Sequence, residues 1–206
     1  MTIGVVANER QKEELLAQGI DDNTRIIWLD EPTTLQDTDC YIDLLFSPGA
    51  YPEELKTLPG KLWIINSVEN TLNKLPSGFI RINGWNSFLK RPLVEAACHN
   101  EAVKEKAENV FFALNKKIEW VPDMPGFISA RIVASVINEA YFALEENVSS
   151  KEEIDTAMKL GTNYPYGPFE WSKIIGLKNI YGLLSVLSKT SNRYKPAELL
   201  KKEALS

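Results

Sequence analysis

The spacing of apolar residues changes once along the chain, near Pro122, and this change constrains the fold more than any other feature of the sequence. Before it, apolar runs of strand length alternate with charged, helix-like stretches. After it, apolar residues recur only at the three- to four-residue spacing of helices. We therefore predict an α/β domain over residues 1–121 and an all-α domain over residues 122–206.

The first domain is predicted to be a mostly parallel sheet with helices on its faces. Strands are expected at residues 2–7, 25–29, 40–46, 62–68, 79–85, 93–98 and 117–121, and helices at residues 9–18, 52–58 and 100–114. A dinucleotide-binding domain has two βαβαβ halves, and each βαβ unit takes about 30 residues or more. Residues 1–121 therefore hold only a trimmed, Rossmann-like version.

The second domain is predicted to contain five helices. The first ends near Glu146 and carries an apolar stripe wide enough to be buried on more than one side, formed by Ile132, Val133, Val136, Ile137, Ala140, Tyr141 and Leu144. The others are expected at residues 150–160, 167–175, 177–187 and 196–205, with Gly161 and Gly176 as helix stops. The wide stripe requires a partner surface, either in this chain or in a second copy.

Composition excludes several classes of function. The net charge of −5 gives no general attraction to nucleic acid or to an anionic membrane surface. No apolar run approaches the roughly 20 residues that span a bilayer, and the first residues become charged too early for a signal peptide, so we expect a cytoplasmic protein. One histidine and no CxxC pair make a zinc site improbable, so no metal is expected.

A family resemblance appears in residues 123–171, which read DMPGFISARIVASVINEAYFALEENVSSKEEIDTAMKLGTNYPYGPFEW. This segment resembles the C-terminal domain of the 3-hydroxyacyl-CoA dehydrogenases. That domain opens with D-x-P-G-F and an N-R pair, and continues with an N-E-A helix, an I-D-x-A-M-K-L-G helix and a P-x-G-P-F-E/D signature. All but one of these elements are present. The resemblance implies a homodimer through the helical domain, which also closes one wall of a substrate cleft.

The same resemblance implies an N-terminal NAD site, where I-G-V-I-G-x-G-x-x-G lets the backbone approach the pyrophosphate. Here the three fingerprint glycines are replaced by Ala7, Glu9 and Lys12, whose side chains take the space of the pyrophosphate. Asp30 matches the acidic residue that binds the adenosine ribose, although an aspartate in Asp30-Glu31-Pro32 is more typical of a turn. We expect no cofactor, and NAD only if the chain is an active dehydrogenase.

The family's catalysis uses a histidine base held by a glutamate, with a serine and an asparagine near the substrate oxygen. The histidine position is Asn83, which takes no proton at ordinary pH, whereas Glu95 retains the glutamate and Asn86 matches the asparagine of the F-N-P portion. Ile65 falls at the serine, with Ser67 close enough that a shift of one or two residues would change the assignment. The expected site therefore lacks its base.

Two further positions bear on the chemistry. Ala130 replaces the asparagine that precedes Arg131 in the family's N-R pair. His99 lies four residues past Glu95, so the two would share a face only in a helix. Because residues 93–98 favour a strand, we expect His99 to be a solvent-exposed residue rather than a substitute base.

Three functions remain open. The first is a non-catalytic relative, a dimeric binding or regulatory module for which acyl-CoA is a candidate ligand. The second is an active 3-hydroxyacyl-CoA (3-hydroxybutyryl-CoA) dehydrogenase of fatty-acid metabolism. The third is an enzyme of other chemistry that uses Glu95 with Asn83, Asn86 or Ser67 in a remodelled cleft.

Overall fold

The computed structural model describes residues 1–31, 37–47, 61–74 and 78–206, which form two compact units dividing between Phe127 and Ile128. The segment that follows residue 121 stays with the first unit, because it is bonded to residues 68–72 of that unit. Gly126 N donates to Val68 O at 2.7 Å, and Asp123 accepts from Leu72 N at 2.9 Å. The first unit therefore keeps the segment that leads into the helices.

In its described residues, the first unit is built on a seven-stranded sheet with the strand order β2-β1-β3-β4-β5-β6-β7. The strands are β1 Thr2–Val6, β2 Arg25–Leu29, β3 Cys40–Asp43, β4 Leu62–Asn66, β5 Phe79–Ile82, β6 Leu93–Ala97 and β7 Lys117–Trp120. All neighbouring pairs are parallel except β5 and β6. The predicted mostly parallel sheet is confirmed.

Helices α1 (Glu9–Leu15) and α2 (Lys104–Ala113) belong to this unit, and residues 101–103 form a 3₁₀ turn before α2. Strands β3, β4 and β5 are almost wholly buried, which explains their continuous apolar runs. Strand β2 lies on one side of β1 and β3 lies on the other, so the direction in which strands are added to the sheet reverses at β1. The helix predicted at residues 52–58 lies outside the described residues.

The second unit contains five helices, as predicted: α3 Ser129–Glu145, α4 Lys151–Thr162, α5 Pro168–Ile175, α6 Leu177–Ser188 and α7 Glu198–Leu205. The expected stop at Gly161 is wrong. Helix α4 continues to Thr162, and Asn163, with φ of 55°, adopts the left-handed conformation that ends it. Gly176, with φ of 93°, does end α5.

Residues of the family signature hold these helices together. The Asp155 carboxylate accepts hydrogen bonds from Phe169 N at 2.7 Å and Glu170 N at 3.1 Å, so it caps the start of α5. A side chain at Gly167 would place its Cβ 2.3 Å from Asp155 Oδ1. Both residues are thus required by packing and capping. Within the described ranges, no helix is long and apolar enough to cross a membrane.

Candidate functional site

Asn83 and Glu95 meet where β5 ends beside β6. The antiparallel register pairs Ile82 with Ala96, so the next residues along, Asn83 and Glu95, lie opposite each other. Asn83 N donates to Glu95 O at 3.0 Å, and Asn83 Nδ2 donates to Glu95 Oε2 at 3.0 Å. Asn83 is 3% exposed and Glu95 is 9% exposed. The structure therefore brings together the two residues that the resemblance aligns with the family's histidine and glutamate.

The chemistry of this pair differs from that of an imidazole and a carboxylate. The Asn83 carboxamide donates one N–H to Glu95, and its Oδ1 lies 3.4 Å from Trp85 N. A carboxamide has no lone pair that takes a proton near neutral pH, so it cannot act as a general base. Glu95 is the acidic member of the pair. The arrangement can orient a polar group, but it lacks the imidazole that serves as the base in the family.

Asn66 is a site residue that the sequence analysis missed. At the end of β4, its Oδ1 accepts from Gly84 N at 3.0 Å and its Nδ2 donates to Leu44 O at 3.2 Å. The side chain thus ties the ends of three neighbouring strands together. A Cβ at Gly84 would lie 2.9 Å from Asn66 Cγ, which explains the glycine. The available signal was a polar residue closing the apolar run of β4.

Ser67, the alternative to Ile65 at the serine position, uses its hydroxyl locally. Its Oγ donates to Asn70 O at 3.1 Å, and its carbonyl accepts from Arg81 Nη1 at 2.9 Å. Ile65 is fully buried in β4. Asn86 lies three residues past Asn83, half-buried in the turn over residues 86–90.

That turn is fixed by two buried charges. The Glu14 carboxylate accepts from Ser87 N at 2.7 and 2.9 Å, and Ser87 has a φ of 73°, in the left-handed region. Lys116 Nζ donates to Leu89 O at 2.7 Å and to Arg91 O at 3.0 Å. Burial lowers the pKa of Lys116 to about 8, against the opposing effect of Glu14. These bonds set the backbone around Asn86.

The one histidine of the sequence belongs to a different cluster. His99 Nε2 lies 3.3 Å from Asp123 Oδ2, and the His99 side chain is largely exposed. Asp123 Oδ1 accepts from Nε of Arg81 at 2.5 Å, and Arg81 is fully buried. Since residues 93–97 form a strand, as expected, Glu95 and His99 do not share a helix face. Glu95 pairs with Asn83 instead.

The start of α1 contains the residues that the resemblance aligns with the family's pyrophosphate-binding turn. Asn8 Oδ1 accepts from Gln11 N at 2.9 Å, and Gln11 Oε1 accepts from Asn8 N at 3.1 Å, which closes a capping box. Gln11 Nε2 also reaches Leu44 O, beyond β3, at 2.9 Å. The side chain of Lys12 forms an ion pair with Glu9 at 2.7 Å. These residues do not fit a dinucleotide held in the family's manner, because the helix start is already capped and bridged.

Two aspartates lie at the carboxyl ends of β3 and β2, the strands on either side of β1. Asp43 closes β3 and is 2% exposed, and its Oδ1 accepts from Leu45 N at 2.9 Å. Burial raises the pKa of Asp43 to about 6. Asp30 follows β2 and is exposed. Four strand spacings separate β2 from β5, about 19 Å in all, so Asp30 is remote from Asn83 and Glu95.

Comparison with known proteins agrees with this architecture. Residues 126–205 match the family model described as 3-hydroxyacyl-CoA dehydrogenase, C-terminal domain. A 3-hydroxyadipyl-CoA dehydrogenase of Escherichia coli is 39% identical over 115 residues, which cover 55% of this chain and 24% of that protein. A 3-hydroxybutyryl-CoA dehydrogenase of Bradyrhizobium diazoefficiens is 36% identical over 132 residues, covering 62% of this chain and 45% of that protein. These matches span less than half the length of either relative.

A solved structure shares the fold over almost the whole chain. The (S)-3-hydroxybutyryl-CoA dehydrogenase of Ralstonia eutropha superposes with a TM-score of 0.74 at 22% identity, covering 98% of this chain and 92% of that chain. Sequence matches and fold thus lead to the same group of proteins. Residues 126–205 are therefore identified with the C-terminal domain of the 3-hydroxyacyl-CoA dehydrogenases, and the chain as a whole is similar to these enzymes in fold.

Proposed function

We propose that this chain is a non-catalytic member of its family that acts as a dimeric binding or regulatory module. One observation carries the proposal. The residue hydrogen-bonded to Glu95 Oε2 at 3.0 Å is Asn83, a carboxamide, in the position where the family places its histidine base. Hydride transfer from a secondary alcohol requires a group that takes the hydroxyl proton, and Asn83 does not supply one.

The start of α1 supports the same conclusion for the cofactor. The residues at the pyrophosphate position are Ala7, Glu9 and Lys12, and Gln11 bridges from the helix to Leu44 O. A glycine-rich turn is needed for the backbone to approach a pyrophosphate. We therefore propose that the chain does not bind NAD in the family's manner. The similarity in fold to dehydrogenases is compatible with this proposal, because the function of a protein depends on the residues of its site and not on its fold alone.

Acyl-CoA is the ligand class proposed for the module, since the matched relatives are named as dehydrogenases of CoA thioesters. The test is a pair of titrations on the full chain. NADH fluorescence is followed as protein is added, and acetoacetyl-CoA binding is followed by calorimetry. We expect acyl-CoA binding without NADH binding.

The activity assay then separates this proposal from the other two functions. Micromolar NADH binding, with NADH oxidation by acetoacetyl-CoA that is lost in Glu95→Gln, would show an active dehydrogenase and overturn the proposal. Turnover of acetoacetyl-CoA without NADH, again lost in Glu95→Gln, would show other chemistry at this site. If acetoacetyl-CoA does not bind, the ligand part of the proposal is wrong.

We also propose that the chain dimerises through the helical unit. Ile132, in the first half of α3, is 54% exposed, and Ile128, one turn earlier, is similarly exposed. Ile132 belongs to the wide apolar stripe, and Ile128 precedes it. Exposed apolar surface of this kind is typical of protein interfaces. Ile132→Glu is expected to halve the molar mass measured by light scattering, whereas Lys106→Glu, on the surface of the other unit, leaves it unchanged.

A further inference from the structure

The two outer strands of the sheet differ in how their edges are protected. In β7, the exposed charges Lys117 and Glu119 alternate with apolar residues, a pattern that discourages pairing with another strand. In β2, Arg25 is followed by four apolar residues and no further charge. Trp28, the fourth of the five residues of β2, is 37% exposed. In the part of the chain that the structure describes, β2 pairs only with β1.

The hydrogen bonds of β2 show which backbone groups point outward. Arg25 N donates to Met1 O at 2.8 Å, so Arg25 is bonded toward β1. In a parallel pair, alternate residues direct their N–H and C=O groups to the same neighbour, so Ile27 and Leu29 also bond to β1. The backbone groups of Ile26 and Trp28 therefore point to the outer edge, where they form a template for another strand.

We propose that β2 pairs antiparallel with β2 of a second copy, about a two-fold axis that passes beside Trp28. In an antiparallel pair, outward-pointing residues lie opposite one another, so Trp28 can face Trp28 of the other copy. Ile27 then lies opposite Leu29. The contact is isologous, because the same strand supplies both sides. The sheet continues from one chain into the next.

Charge favours a second copy as the occupant. The acidic pair Asp30-Glu31 follows β2 directly, and Arg25 begins it. The antiparallel register about Trp28 brings Arg25 of each copy to the acidic pair of the other. All three residues are exposed, and none forms an ion pair with another residue of the described ranges. A parallel arrangement would instead place like charges together.

The size of the contact sets the design of the experiment. Two five-residue strands bury much less than the roughly 1,600 Å² of a standard protein interface, so this pairing is weak and reversible. It uses a different surface from the helical contact proposed above and does not depend on it. A covalent trap is therefore more suitable than a mass measurement, because it records short-lived pairs.

Trp28→Cys in a Cys98→Ser background provides the trap, since the remaining Cys40 is buried. Hydrogen-bonded antiparallel residues have Cα atoms about 5.5 Å apart, within the span of a disulfide. We expect the purified chain to form an interchain disulfide on mild oxidation. Glu119→Cys, on the exposed edge β7, is the matched control and is expected to give several-fold less covalent dimer.

Charge reversal tests the register. In the Trp28→Cys chain, adding Arg25→Glu is expected to lower the yield of covalent dimer several-fold, and adding Glu31→Arg as well is expected to restore it. Equal yields at positions 28 and 119, no cross-link at position 28, or no effect of Arg25→Glu would each overturn the proposal. Circular dichroism of every variant ensures that a lost cross-link is not a lost fold.

Discussion

Asp43 allows the effect of a buried charge in this sheet to be measured directly. It closes β3, is almost fully buried, and its Oδ1 accepts one backbone hydrogen bond, from Leu45 N at 2.9 Å. Burial raises the pKa of Asp43 to about 6, and the bond from Leu45 only partly opposes this. Asp43→Asn keeps the size of the side chain and the acceptor for Leu45 N, but removes the charge.

The magnitude follows from the pKa. A rise from 3.8 to about 6 is a little over two units, and each unit corresponds to about 1.4 kcal/mol, which gives about 3 kcal/mol. Since the folded state holds the proton of Asp43 more tightly, the contribution of Asp43 to stability is most favourable below pH 4 and falls as the pH rises to about 6. At pH 7 the charged Asp43 therefore lowers the free energy of unfolding. Asp43→Asn is expected to raise it by up to about 3 kcal/mol at pH 7.

The assay is urea unfolding at pH 4 and pH 7, followed by the fluorescence of the five tryptophans. The gain in Asp43→Asn should be large at pH 7 and close to zero at pH 4. Asp30→Asn is the matched control, because Asp30 is exposed and its substitution should change stability by less than about 0.5 kcal/mol. Two results would contradict the burial argument. One is that Asp43→Asn is no more stable than the parent at pH 7, and the other is that its gain in the free energy of unfolding persists at pH 4.

Two other changes test packing that the structure makes explicit. Arg81→Met leaves the Asp123 carboxylate without its cation, and we expect a loss of about 3–5 kcal/mol in urea unfolding; a loss below about 1 kcal/mol would contradict the role of this ion pair. Gly167→Ala forces a Cβ to 2.3 Å from Asp155 Oδ1, whereas Gly161→Ala in α4 meets open space. In thermal melts followed by circular dichroism, Gly167→Ala should lower the Tm by several degrees, whereas Gly161→Ala should leave the Tm unchanged or raise it. Equal changes in Tm would refute the steric explanation.

The order and type of the elements could be predicted from the sequence, whereas several ends could not. Strand β2 was predicted with its observed bounds, because charged or turn-forming residues flank its apolar run. The strand at residues 79–85 was predicted three residues too long. Another large apolar residue, Trp85, follows Ile82, but Gly84 packs against Asn66 and the backbone turns at residues 86–90. Packing between distant segments, not local pattern, ends this strand.

The candidate site was predictable only where the family resemblance supplied a position. Asn83 and Glu95 were identified in that way, and their hydrogen bond is observed. Gln11 and Asn66 were missed because an amide in a charged helix, or at the end of a strand, gives no sign of which distant carbonyl it reaches. Both donate to the same atom, Leu44 O, from different elements. Such a convergence exists only in the folded chain.

This chain differs from an active dehydrogenase in its base and in its pyrophosphate-binding turn. Asn83→His restores an imidazole at the site and leaves the turn unchanged, so it tests the two differences separately. The introduced imidazole would take the position from which Asn83 Nδ2 now donates to Glu95 Oε2 at 3.0 Å. A carboxylate at that distance favours the charged imidazole and raises its pKa by about 1–3 units, whereas burial alone lowers it. The pKa is therefore expected to fall by at least about one unit when Glu95→Gln is added.

The measurement is an NMR titration, in which His99 supplies the one other imidazole signal and serves as an internal reference. A pKa that does not respond to Glu95→Gln would mean that the introduced imidazole does not contact Glu95. We expect no NADH-dependent reduction of acetoacetyl-CoA by Asn83→His, because Ala7, Glu9 and Lys12 still occupy the pyrophosphate position. If that single substitution restored activity, the nucleotide site would be intact, and the lost base alone would account for the difference from the family.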